Sequence, residues 1–313
     1  MHAHLGLAFC VENIKYTRFL NNDQTLVLDH LGSLSYPFAY NEADFFTDEN
    51  ISLLINLINS KIISGQDDYK DLSVSIESNL ATMKRIALPD NLDKQDEDDH
   101  IAWDLAQSLI EPLDQYVYFK TINSFENDNY KDFLTIAIRK RIINAVKGLS
   151  LSLGLNLIDV SINQLVSEIT LRNYMKEQTE GLIAIFKIAS SRLESTFLWN
   201  GNFYTSHYER LLSDENPESV GIDVITKIKS KVKQMENLFQ QMVQKQIKIE
   251  RIFLYGDNIE EKFINSIKQN MSVVVFRLNP LQNIEKSEKL MIALPSLEES
   301  TKYVESIGVV LDQ

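Results

Sequence analysis

Cysteine is nearly absent from this chain of 313 residues: Cys10 is the only one, so no internal disulfide can form. With one thiol, no Cys/His set has the spacing of a zinc site. Basic clusters are missing as well. The net charge is −13 and no run of Lys and Arg makes a stripe. That excludes a phosphate-neutralising nucleic-acid binder and argues equally against direct contact with an anionic membrane. No apolar run approaches the roughly 18–20 residues of a membrane-spanning helix. The opening, Met1-His-Ala-His-Leu-Gly-Leu-Ala-Phe9, is too short and too uncharged for a secretory signal, so a cytoplasmic place is expected. Gly-x-Gly-x-x-Gly, P-loop and Gly-x-Ser-x-Gly motifs are all lacking.

What is present is regular periodicity. Alternation at Leu5, Leu7 and Phe9, resuming at Ile14 and Tyr16, predicts a strand pair, and Thr25 to His30 a third strand. Ile51 to Ile63 reads as a helix, Leu72 to Ser78 as a strand, and Asp93 to Asp99 as the solvated acidic start of a helix carrying Trp103. Phe133 to Ile138 is an expected strand, followed by a helix closed by Gly154, a strand from Leu155 and a helix from Asn163. Two further strands precede Asn200-Gly201, a strong hairpin turn. Ile225, Ile228, Val232, Met235, Phe239 and Met242 form one stripe of a long helix, more often core than docking face. Strand 251–256, helix 260–269, strand 272–277 and a closing helix 298–311 complete the reading. A strand meander near residue 5 thus recurs near residue 181, a repeat of pattern rather than of identity.

The stretch Lys84-Arg-Ile-Ala-Leu-Pro89, Ile101-Ala-Trp-Asp-Leu-Ala-Gln107 and Glu111-Pro-Leu-Asp-Gln115 resembles one subdomain of the PilM family, the actin-like cytoplasmic proteins of type IV pilus and type II secretion machines. Leu153-Gly154-Leu155 and the closing Ser306-Ile-Gly308-Val-Val-Leu311 are similar to that family too. The resemblance implies an α/β, actin-like (ribonuclease H-like) fold of two lobes with a small αβ insertion. Its expected boundaries are 1–70 plus 160–180 for the first lobe, 70–160 for the insertion and 181–313 for the second lobe.

The same resemblance implies a nucleotide cleft, and its expected positions are altered. The family's first phosphate hairpin runs roughly Ile-Gly-Ile-Asp-Ile-Gly-Ser-Ser-Ser-Ile-Lys. Here it is Leu5-Gly-Leu-Ala8-Phe-Cys10-Val-Glu12-Asn13-Ile-Lys15, with Ala8 for the metal-organising Asp, Cys10 for Gly, and Glu12 where an anion would repel phosphate. In the second hairpin Lys187 replaces the Asp and Ala189 the Gly, before Ser190 and Ser191. The adenosine turn keeps one glycine in Tyr255-Gly256-Asp257-Asn258. Losing both carboxylates removes the Mg²⁺ anchors, a loss of several kcal/mol of transition-state stabilisation. Lys187 reads as a lysine at the mouth of an unused cleft, with pairing to phosphate as the other reading.

The expectation is therefore a pseudo-ATPase scaffold with no cofactor and no metal. ATP with Mg²⁺ on an altered phosphate grip is one alternative, and an FtsA-like filament or division protein another. The resemblance implies as partner the N-terminal cytoplasmic tail of a PilN-like membrane protein, with Trp103, Gln107 and Phe133 as candidates for its groove. Self-association is a further expectation, and the inner membrane would be reached only through the partner. His2 and His4 form a weak metal pair with no third ligand, and a disordered terminus is the expectation there. Cys10 reads as a small core residue.

Overall fold

The computed structural model describes residues 2–22, 25–65, 68–123, 130–175, 180–211, 217–244, 246–257, 259–271 and 273–312. The chain divides into two units, Met1–Asp23 with Gly32–Asn163, and Gln24–Leu31 with Gln164–Gln313.

The first unit opens with the hairpin β1 (His2–Phe9) and β2 (Asn13–Asn22), followed by β3 (Thr25–Ser35), whose first residues count with the second unit. Then come α1 (Asp48–Ile58), extended by a π-turn to Ile63, and β4 (Tyr69–Ile76). After β4 the chain leaves for β5 (Ala81–Pro89), α2 (Lys94–Ala106), β6 (Tyr116–Asn123) and β7 (Tyr130–Arg139), and returns through α3 (Lys140–Ser152) to β8 (Asn156–Ile162). Strand order is β3-β2-β1-β4-β8, with β1, β4 and β8 mutually parallel. Leu5, Leu7, Leu72, Val74 and Ile76 are buried on the central strands, with Leu54 and Ile58 of α1 and Val146 and Leu149 of α3. Strands covered on both faces read as near-continuous apolar runs. Gly154 ends α3 at φ +70°, with Leu155 N–H on the Ser150 carbonyl and Gly154 N–H on the Leu151 carbonyl, a Schellman closure.

The small sheet has the antiparallel order β5-β7-β6. Ile101 and Leu105 of α2 close its core against Ile86, Leu88, Tyr116, Phe133 and Ala137. The insertion is narrower than residues 70–160, because β4 and β8 belong to the large sheet and only β5 to β7 with α2 stand outside it. Apolar alternation alone does not tell which sheet a strand joins.

The second unit contains α4 (Asn163–Met175), which the boundaries 160–180 assign to the first lobe but which here, from Gln164 on, clusters with the later residues. It continues with β9 (Leu182–Ile188), β10 (Arg192–Trp199), β11 (Asn202–Arg210), α5 (Pro217–Val243), β12 (Ile249–Gly256), α6 (Glu261–Asn270), β13 (Val274–Arg277), β14 (Glu285–Lys286), α7 (Glu288–Ile292), α8 (Leu297–Ser300) and α9 (Val304–Leu311). Its sheet, β11-β10-β9-β12-β13, repeats the meander-then-parallel order β3-β2-β1-β4-β8, while β14 pairs parallel with β3 as a sixth strand of that other sheet. Asn200 (φ +49°) and Gly201 (φ +78°) make the expected hairpin turn. Ile228, Val232, Met235 and Phe239 of α5 are buried, so most of the stripe is core; its first member, Ile225, is half-buried with Val224 buried in its stead, and Met242 lies at its exposed end. The closing helix is two: a capping box at Ser296 and Glu299 starts α8, and a 3₁₀ turn separates it from α9.

Gly308 of α9 lets that helix touch α4. A Cβ there would stand 2.2 Å from the Val166 carbonyl oxygen, whereas Thr170 bonds across to the Val304 carbonyl at 2.8 Å. Glu168 of α4 is enclosed in the same unit. Burial pushes its carboxyl up to about 7, with Asp312 adding to the rise and Arg172, 3.3 Å away, opposing it. A raised carboxyl favours folding fully below its ordinary value of 4.5 and loses that contribution as pH climbs through about 7. Chemical denaturation across this window should therefore show falling stability, on the order of 1–3 kcal/mol. Glu168→Gln should flatten the fall; an unchanged slope in the variant would refute the assignment.

Candidate functional site

The β1–β2 turn uses its polar backbone internally. Ala8, the position of the expected carboxylate, is fully buried opposite Lys15, itself buried. Cys10 is a buried free thiol whose N–H meets the Asn13 carbonyl and whose own carbonyl accepts the Tyr36 hydroxyl at 2.6 Å. Glu12 and Asn13 are half-buried at the tip. The Val11 N–H donates to Oε1 of Glu77 at 2.9 Å. Glu77 follows β4 and is fully buried, and Asn163 reaches the Phe9 carbonyl at 3.3 Å. An amide at a hairpin tip is the kind of group that grips phosphate when small residues let the anion approach. Here a carboxylate of the chain takes it. Glu77 escaped sequence reading because a lone Glu at a strand end is ordinary surface chemistry. His2 and His4 lie within β1 rather than in a disordered terminus. His4 is buried against Ser73 (Nε2 to Oγ, 2.9 Å), and burial lowers its pKa to about 4.

At the β9–β10 turn, Ser190 and Ser191 are exposed and Ala189 is buried. Lys187 is not at any mouth. Its register neighbours are Glu194 on β10 and Tyr255 on β12. Its ammonium lies 2.8 Å from Glu305 of α9 and 3.6 Å from Glu194, all three side chains at most 7% exposed. Arg192 Nε stands 2.9 Å from the same Glu194. Tyr255 is turned inward as well: its hydroxyl donates to Glu305 at 3.0 Å, and burial, then the Glu305 charge, push its pKa well above 10. It is therefore a buried polar residue of the sheet.

Gly256 remains because of backbone contact within the sheet. It has φ +119°, and a Cβ would lie 2.2 Å from the Ile188 carbonyl oxygen. The next amide, Asp257 N–H, bonds that oxygen at 3.0 Å. Asn258 lies outside the described residues. Among the described residues, no group of three His, Cys, Asp or Glu side chains is placed to hold a metal, and no helix is long and apolar enough to cross a membrane.

The partner candidates separate. Trp103 is 67% exposed, and Gln107, one turn further along α2, is exposed beside it in sequence register. Phe133 is 1% exposed and belongs to the insertion's core, with Lys120 over its ring at 5.1 Å, so it offers nothing to a partner. Exposed Ile110, Val117 and Phe119, which the sequence reading missed, add apolar surface to the same insertion. The acidic run is not wholly solvated: Asp93 caps α2, while Glu97 is buried between Lys120 (3.0 Å) and Lys131 (3.1 Å).

No protein-family model and no curated protein matches the sequence. Among solved structures, a chain of a PilM-PilN type IV pilus biogenesis complex superposes with a TM-score of 0.75 at 13% identity, covering 98% of this chain and 97% of that one. The fold is therefore actin-like, of the kind seen in that chain of the PilM-PilN complex. A Bacteroides thetaiotaomicron protein described as having an actin-like ATPase fold and unknown function gives a TM-score of 0.50 at 12% identity, over 94% and 95% of the two chains. The cytoplasmic domain of EpsL, an inner-membrane component of the Vibrio cholerae type II secretion system, gives 0.49 at 9% identity, over 99% and 94%. Within this actin-like fold, neither Ala8 nor Lys187 supplies a carboxylate that would anchor Mg²⁺. The residues at these positions do not fit a magnesium–triphosphate group: one place is alanine, the other a lysine enclosed by glutamates.

Proposed function

We propose that the protein is a nucleotide-independent scaffold on the cytoplasmic face of a type IV pilus or type II secretion inner-membrane platform, holding the N-terminal cytoplasmic tail of a PilN-like membrane protein. The observation that carries this reading is the likeness over nearly the whole chain to a chain of a PilM-PilN complex. The altered hairpins support the loss of nucleotide, since Ala8 and Lys187 leave no anionic anchor for a metal. Trp103, Gln107 and Ile110 are the candidates for holding the tail, because an exposed tryptophan is a frequent anchor of interfaces. Membrane association then comes through the partner.

Isothermal titration with ATP and ADP, with and without Mg²⁺, tests the first half. No heat at millimolar nucleotide is expected; micromolar, Mg²⁺-dependent binding would overturn the reading in favour of a working ATPase. The second half is tested with the N-terminal tail peptide of a PilN-like protein. Trp103→Ala should weaken its binding by at least tenfold, a loss of about 1.4 kcal/mol or more. Because the side chain is exposed, the melting temperature should stay as in the parent. Equal affinity in parent and variant would remove Trp103 from the interface.

A further inference from the structure

Both phosphate-type hairpins hold carboxylates of the chain itself. In the first unit, Glu77 is fully buried and accepts the Val11 amide at the tip of the β1–β2 turn. In the second, Glu194 and Glu305 enclose Lys187, with Arg192 on Glu194 and the Tyr255 hydroxyl on Glu305. Two carboxylates thus meet a lysine and an arginine there. Burying charges costs several kcal/mol per ion unless each is paired with good geometry. A hairpin shaped to grip an anion, yet lacking one, would leave an amide or an ammonium without compensation. Each unit instead draws an anion from a neighbouring element, the end of β4 in one and the first turn of α9 in the other, where Glu194 of the hairpin's own β10 joins it.

We propose that the fold is self-liganded, with Glu77 at the first hairpin and Glu305 with Glu194 at the second taking the place of phosphate oxygens. The proposal rests on the nucleotide-independent reading and names the groups that replace the ligand. It also assigns α9 a role: its first turn fastens the β9–β10 hairpin through charge, as a bound nucleotide would.

Chemical rescue tests it. Glu77→Ala in the full chain should melt roughly 5–10 °C below the parent, from the loss of a buried charge-assisted bond. Millimolar acetate or inorganic phosphate should return half or more of that loss, whereas sodium chloride at equal ionic strength should not, and the parent should not respond to either anion. Should Glu77→Ala fail to fold, Glu77→Gln decides, since it keeps an oxygen for Val11 but no charge: melting below the parent is expected, and melting equal to it would overturn the proposal. In the second unit, the pair Lys187→Met with Glu305→Met should melt closer to the parent than either single change. Rescue that is equal in parent and variant, or additive losses in the double variant, would sink self-liganding and leave the nucleotide-independent reading intact. Stabilisation of the parent by Mg²⁺ with ATP would sink both.

Discussion

Gly256→Ala should lower the unfolding free energy by at least about 3 kcal/mol, among the largest single-residue effects in the protein. The new methyl carbon would stand 2.2 Å from the Ile188 oxygen and 3.0 Å from the Ile188 carbon and nitrogen. None of these is a flexible side-chain end. Relief requires separating β9 from β12 where Gly256 pairs with Ile188, and that breaks the Asp257 amide bond to the same oxygen. The Gly256 carbonyl also accepts the Thr301 hydroxyl at 3.0 Å, so the turn leading into α9 would shift as well. Gly148→Ala is the matched control. It lies inside α3 with open space around its missing Cβ, and there alanine should stabilise by about 0.5–1 kcal/mol. Urea denaturation followed by tryptophan fluorescence gives both values. A parent-like midpoint for Gly256→Ala would show that the sheet end yields more easily than its contacts imply.

Lys187→Ala should cost about 3–5 kcal/mol, since it leaves Glu194 and Glu305 buried beside each other with fewer cations. Lys187→Asp restores the residue type that an actin-like ATPase carries here. It should be worse still, because a third anion enters the same buried group. Reverting one position therefore does not rebuild a metal site while α9 presents Glu305. Circular dichroism melts of the two variants would test this; a melting temperature of Lys187→Asp equal to that of Lys187→Ala would mean that the loss is packing rather than charge.

Much of the architecture was legible because it is written in near neighbours. Leu5, Leu7 and Phe9 alternate whatever they pack against, Asn200-Gly201 makes its turn through its own dihedrals, and Gly154 ends a helix because it adopts positive φ without strain. The repeated meander was visible for the same reason, and the actin-like fold followed from the resemblance. Strand β6 had no expected counterpart. Tyr116, Val117, Tyr118 and Phe119 are apolar in succession on an edge strand, which gives no period of two. Phe133 was misjudged because alternation cannot say which face of a strand a helix will cover. The single closing helix was divided by a 3₁₀ turn whose Thr301 also bonds Gly256, a residue far from it in sequence.

By itself the sequence determined the order of most elements, the lack of a basic run, and the absence of aspartate at positions 8 and 187. Tertiary structure alone decided what replaced them. Lys187 meets Glu305 only because β9 lies between β10 and β12 in one register and α9 carries its first turn to that row. Glu77 meets Val11 only because β4 runs parallel to β1 and ends beside its turn. Periodicity is a property of residues close in the chain, whereas charge pairing across a sheet depends on register and packing, which no local pattern contains.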